Sequence, residues 1–171
     1  MLNFPAWFEV WLRAVERTLY YTPMGELMRT SAWAWPTFES LHFIGMSLLI
    51  GTIGVFDLRL LGFARAVPVG ALHRLIPLGL GGFALNLATG FCFICATPDQ
   101  YLFNAAFRWK VVFLMVAGLN VLFFYTRVFR RIEAFSENLP PPLAARLVGG
   151  ISLGAWIGVM SAGRLLTFFR P

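Results

Sequence analysis

A chain of 171 residues that is 58% hydrophobic and only 13% charged carries more apolar surface than a water-soluble domain of its length can bury, since soluble domains hold about 25% charged residues. A net charge of +6 would suggest nucleic acid in a soluble protein, but here the arginines stand at the ends of apolar runs and form no basic face, so the expected partner is the lipid bilayer and no nucleic acid. Mean hydropathy of +0.72 agrees, and the length allows a single integral membrane domain over residues 1–171.

In chain order, Met1-Leu2-Asn3-Phe4-Pro5 lacks the basic start and cleavage site of a secretory signal, so the first span is expected to serve as the insertion signal. Residues 1–33 read as an amphipathic, interfacial segment. Glu9, Arg13, Glu16 and Arg17 recur on one helical face, with Phe8, Trp11, Leu12, Val15 and Leu19 on the other. Such a Trp- and Phe-rich helix suits the interface plane; packing on a partner protein is the alternative. Thr22-Pro23 then reads as an N-cap and a first-turn proline.

A spanning helix needs about 20 mainly apolar residues, and four stretches within 34–171 qualify: Trp35 to Leu61, Leu75 to Ala96, Ala105 to Tyr125 and Leu147 to Phe169. Strand-like alternation is absent, which excludes a membrane β-barrel. The expectation is an all-α membrane protein, an antiparallel bundle of four transmembrane helices. Pro140-Pro141-Pro142 marks the loop before the last one. Arg59, Arg65 and Arg74 lie between the first two spans, and Arg127, Arg130, Arg131 and Arg146 between the last two. The positive-inside rule makes those loops cytoplasmic. Both termini and the Asp99 loop then face the periplasm of a bacterial inner membrane, with Trp33, Trp35, Tyr101, Phe103 and Trp109 as the outer aromatic belt.

Ionisable groups inside a span are costly and usually face the bundle interior. At 1.5 Å per residue, His42 lies about 9–11 Å below the outer surface, Thr89 about 10 Å, and Lys110 and Arg164 about 7 Å each. Glu39 sits one turn above His42. A histidine, a carboxylate and two cations at one depth suit a b-type heme: His42 as iron ligand, Lys110 and Arg164 on the propionates, Glu39 and Thr89 beside them. Snorkelling cations and a hydrogen-bonded His42 are the plainer alternatives. His73 falls near the opposite membrane face, so His42 and His73 are not expected to ligate one heme. Cys92 and Cys95, a C-x-x-C pair read first as small buried hydrophobes, could with Met46 and His42 form a soft copper site. Asp57 and Arg59, two residues apart, do not face each other and form an inner-end lock, each with another element such as Arg65 or loop backbone. Asn120 is expected to hydrogen-bond between helices. Gly150, Gly154, Gly158 and Ala162 make a small-residue stripe suited to packing within the bundle or to a homodimer or larger complex.

Leu41-His42-Phe43-Ile44-Gly45, with Leu58-Arg59-Leu60 at the other end of the helix and Trp109-Lys110-Val111-Val112 further on, resembles the HemJ-type protoporphyrinogen oxidases. The general helical layout is similar to CopD-type copper-resistance proteins. Asp57-Leu58-Arg59-Leu60-Leu61-Gly62, Thr89-Gly90, Phe107-Arg108-Trp109-Lys110, Ala117-Gly118-Leu119-Asn120 and Ala162-Gly163-Arg164 look like an uncharacterised bacterial family of four-helix membrane proteins over Trp35 to Phe168. The HemJ-type resemblance implies His42 as heme ligand and Lys110 as a site residue, although the tryptophan that follows the histidine there is Leu49 here. The expected function is a b-heme-binding membrane redox protein, or membrane subunit of a redox complex, with its cofactor in the outer leaflet. The alternatives are a copper-handling protein and a cofactor-free structural subunit.

Overall fold

The computed structural model describes residues 5–63, 66–129 and 140–169, and among these every regular element is helical. The helices are α1 (Ala6–Tyr20), α2 (Pro23–Thr30), α3 (Ala34–Leu61), α4 (Val69–His73), α5 (Ile76–Ala96), α6 (Pro98–Leu102), α7 (Ala105–Phe123), which runs on into a π-helical turn (Phe124–Val128), and α8 (Leu143–Leu165). Four segments are long and apolar enough to cross a membrane: Ala34–Leu61, Val69–Ala96, Ala105–Val128 and Leu143–Leu165. The chain is a multi-pass membrane protein built as a helical bundle. Leu80, Phe91, Leu119 and Leu122 stand exposed on these helices, as lipid-facing side chains do. Arg65, Arg130, Arg131 and the rest of the basic loop before Pro140 lie outside the described residues.

Local chemistry sets most helix ends. Thr22 accepts a hydrogen bond from the Gly25 amide at 3.1 Å, with Pro23 in the first turn, the capping arrangement expected. Gly62 ends α3 at φ 102°, a left-handed conformation open to glycine without steric cost. The Phe63 amide reaches back to the Leu58 carbonyl and Gly62 to Arg59, which satisfies carbonyls otherwise orphaned at the helix end. The last helix departs from expectation at both ends. It starts at Leu143, directly after the prolines and one turn before Leu147, and it stops at Leu165 instead of Phe169. Asn104 explains the stop. Its Oδ1 caps α7 by accepting from the Ala106 amide at 2.8 Å, while its Nδ2 donates to the carbonyls of Leu166, at 3.1 Å, and Phe169. The final turns thus unwind onto a buried amide.

Packing is uneven around the bundle. α3 lies between α5 and α8, and α8 packs on α7, whereas α5 and α7 form no comparable contact. The α3–α5 contact is closest where glycines meet. A Cβ on Gly82 would stand 2.6 Å from the Gly45 carbonyl oxygen, and one on Gly45 would stand 2.9 Å from that of Gly82. Only residues without side chains allow backbones this near. His42 meets Thr89, and Thr52 meets Gly79, along the same seam. Between α3, α7 and α8 the centre is filled by Leu49, Ala117, Ala155, Trp156 and Val159. α2 packs on α5, and α1 on α6 and α5.

The small-residue stripe of α8 divides. Residues four apart advance about 40° around a helix beyond a full turn, so the stripe cannot face one neighbour throughout. Gly158 lies under the Phe113 ring of α7, where a Cβ would come within 2.7 Å, while a Cβ on Gly154 would meet no other element within 4 Å. Ala162 is buried and Gly150 exposed.

Candidate functional site

Thr89, only 2% exposed, has a hydroxyl with one proton to give. It donates within its own helix to the Leu85 carbonyl at 2.7 Å. Its contact with His42 Nδ1, also 2.7 Å, is therefore assigned with the imidazole as donor. With that assignment the proton sits on Nδ1 and the lone pair on Nε2. Metal-bound histidines are oriented in this way, their second nitrogen donating to an outer acceptor. Phe93 sets its ring edge-on to the imidazole at 5.6 Å. Gly90 gives α5 a flat wall there, since a Cβ would only just touch His42 Cε1 at 3.9 Å.

Lys110 enters from α7. It lies within electrostatic reach of His42, and its Nζ stands 3.7 Å from where Gly163 of α8 would carry a Cβ. All four long helices thus meet at one level, through His42, Thr89, Lys110 and Gly163. Lys110 is only partly exposed and has no carboxylate partner among the described residues. Among the described residues the ion pair found is Arg13–Glu16 on α1, at 3.2 Å.

Asn86, one turn below Thr89, was not singled out from sequence. Its Nδ2 donates to the Gly82 carbonyl at 3.0 Å and its Oδ1 is buried without a partner. The available signal was spacing, since a residue three before Thr89 shares its face.

Other expected members lie apart. Glu39 is exposed and acts on Tyr101. Burial, reinforced by Glu39, pushes the Tyr101 phenol up to about 12. Arg164 is exposed, its guanidinium 5.8 Å from the Phe168 ring centre. Cys92 is buried beside Met28, Ala34, Phe93 and Ala96, against α2. Met46 is half-buried one turn from His42. Among the described residues no three His, Cys, Asp or Glu side chains converge to hold a metal ion, His42, Cys92 and Cys95 included.

Arg29 also escaped the sequence reading. It donates to the carbonyls of Cys95 and Ala96 at 3.2 Å each and to Tyr20 at 2.6 Å. A guanidinium so placed closes the carbonyl end of α5, where the helix dipole favours a cation. With Asn104, it latches the His42 end of the bundle.

At the other end, His73 bonds through Nε2 to the Tyr125 hydroxyl at 3.1 Å and stacks on Phe129 at 4.7 Å. Its ring is 6.3 Å from Phe56, which is fourteen residues along α3 from His42, or about 21 Å. Arg59 Nε donates to the Val67 carbonyl at 2.8 Å, the loop-backbone partner expected, and Asn120 Nδ2 joins α7 to the Val148 carbonyl of α8 at 3.0 Å. An apolar pocket lined by Phe8, Leu12, Leu102, Phe107 and Val111, with Arg108 at its wall, lies under α1 and does not include His42. No protein-family model, curated protein or solved structure matches the chain.

Proposed function

We propose that the chain is a bacterial inner-membrane protein that binds a b-type heme in the outer leaflet and serves as a redox protein or as the membrane subunit of a redox complex. The observation that carries this reading is the Thr89 hydroxyl on His42 Nδ1, which with the imidazole as donor leaves Nε2 to bind a metal, beside Lys110, a cation with no carboxylate partner among the described residues. The donor set fits the group. His42 Nε2 would ligate the iron, Thr89 would hold the imidazole plane, and Lys110 would pair with a propionate. Arg164, one residue beyond Gly163 at the rim, would meet the second. When bound, heme supplies one-electron chemistry. These residues would orient it and keep its charged edge near the interface. The glycine seam leaves no slot between α3 and α5, so the face between α5 and α7, which pack on each other less than the neighbouring pairs do, is where a flat ligand would enter.

The proposed topology is an antiparallel four-helix bundle with α1 in the interface plane and both termini periplasmic. The seam supports it, because positions rising along α3 (42, 45, 52) meet positions falling along α5 (89, 82, 79). On α1, Leu12 is buried while Trp7, Val10 and Trp11 are exposed, as suits lipid contact on one side. A reporter fused after Pro171 is expected to behave as periplasmic; cytoplasmic behaviour would reverse the orientation. A second reading, a structural subunit that dimerises or joins a larger complex, draws on the open backbone at Gly154.

The test is a visible spectrum of protein purified from cells supplied with a heme precursor. A Soret band that sharpens on dithionite reduction is expected. It should vanish in His42→Ala, weaken in Lys110→Ala and persist in His73→Ala. A band that survives His42→Ala but is lost in His73→Ala would overturn the site. A colourless protein containing copper would favour the copper-handling reading.

A further inference from the structure

Asp57 lies near the far end of α3, 3% exposed, with Oδ2 buried and unpartnered. Ser152 of α8, itself 4% exposed, lies within hydrogen-bonding range of the carboxyl. The two helices close over it: a Cβ on Gly149 would stand 2.8 Å from the Asp57 carbonyl oxygen and 3.0 Å from Leu60 Cβ.

Among the described residues no ion pair reaches Asp57, and Arg74 and Arg127 are exposed. On α3, Arg59 gives its Nε to the Val67 carbonyl. On α4, His73 bonds to Tyr125 of the π-helical turn. α5 carries no Asp, Glu, Lys, Arg or His at all. On α7, Asn120 bonds to the Val148 carbonyl, and Arg146 on α8 is exposed. A bare carboxylate in such a place is strongly disfavoured unless something neutralises it. Calcium needs six or more oxygen ligands, far more than one carboxyl and one hydroxyl provide. A proton needs one oxygen only.

We propose that Asp57 and Ser152 form a proton-binding site within the membrane, at the opposite end of the bundle from His42. Protonation forms one O–H bond on the carboxyl and removes its charge, and Ser152 supports the group by hydrogen bonding. The proton exchanges with the side on which Arg59 and His73 stand. This assignment is independent of whether His42 holds heme.

Infrared spectroscopy on the full-length protein in lipid tests it without requiring a variant. The chain contains two aspartates, Asp57 and Asp99, and Asp99 is exposed. The expected result is a carbonyl-stretch band of a protonated carboxylic acid at neutral pH. It should move on labelling with carbon-13 aspartate, disappear in Asp57→Asn and shift in frequency in Ser152→Ala. Absence of any band that responds to labelled aspartate overturns the proposal, as does one that persists in Asp57→Asn or is lost in Asp99→Asn.

Discussion

The two ends of the bundle handle buried charge in opposite ways. At the His42 end a cation, Lys110, is left without a carboxylate among the described residues. At the Asp57 end a carboxyl is left without a cation among the described residues. These charges would neutralise each other if they met, but fifteen residues of α3 separate the levels of His42 and Asp57, about 22 Å along the helix. A paired Lys–Asp bridge would be chemically closed. Held apart, each group keeps an unmet demand, the cation for an anionic ligand and the carboxyl for a proton. The ends also differ in how they are fastened. Arg29 and Asn104 tie backbone carbonyls at the His42 end, so the site there sits in a latched frame. At the Asp57 end, closure comes from helix contact at Gly149 and from apolar packing of Phe56, Leu60, Phe124 and Val148.

This contrast can be broken experimentally. The largest effect is expected at the His42 end, from Thr89→Val, which removes the acceptor that orients the imidazole but keeps the shape. Outer partners of a metal-bound histidine typically contribute 10- to 100-fold in affinity, so heme retention measured by titration should fall by about that factor. Unchanged retention would mean that Thr89 does not set the imidazole. A smaller effect sharpens the independence of the ends. Lys110→Met and Asp57→Asn should alter thermal stability additively, with a coupling below about 0.5 kcal/mol, because sites with no shared partner add. A larger coupling would show that the two charges communicate through the bundle.

Much of the fold was legible because the features that specify it are local. Apolar runs of spanning length placed α3, α5 and α7 to within a few residues, and Thr22-Pro23 announced α2. Depth along the membrane was legible for the same reason, since rise per residue is constant. His42, Thr89 and Lys110 were therefore set at one level from sequence, and His73 at the other. Direction around each helix axis was not legible in that way. It depends on which faces neighbouring helices allow, and here the Gly45–Gly82 contact fixes it.

The sequence by itself thus determined a membrane protein with four spans and the level at which each polar group sits, because hydropathy and helical rise act residue by residue. Only the tertiary structure decided which groups meet. It turned Thr89 onto His42, Glu39 toward Tyr101 and Cys92 into the contact with α2. It split the glycine stripe between Phe113 and open surface, ended α8 on Asn104, and left Asp57 closed in beside Ser152. The physical reason is that these are contacts between distant parts of the chain, and their energies depend on packing distances that no single helix contains.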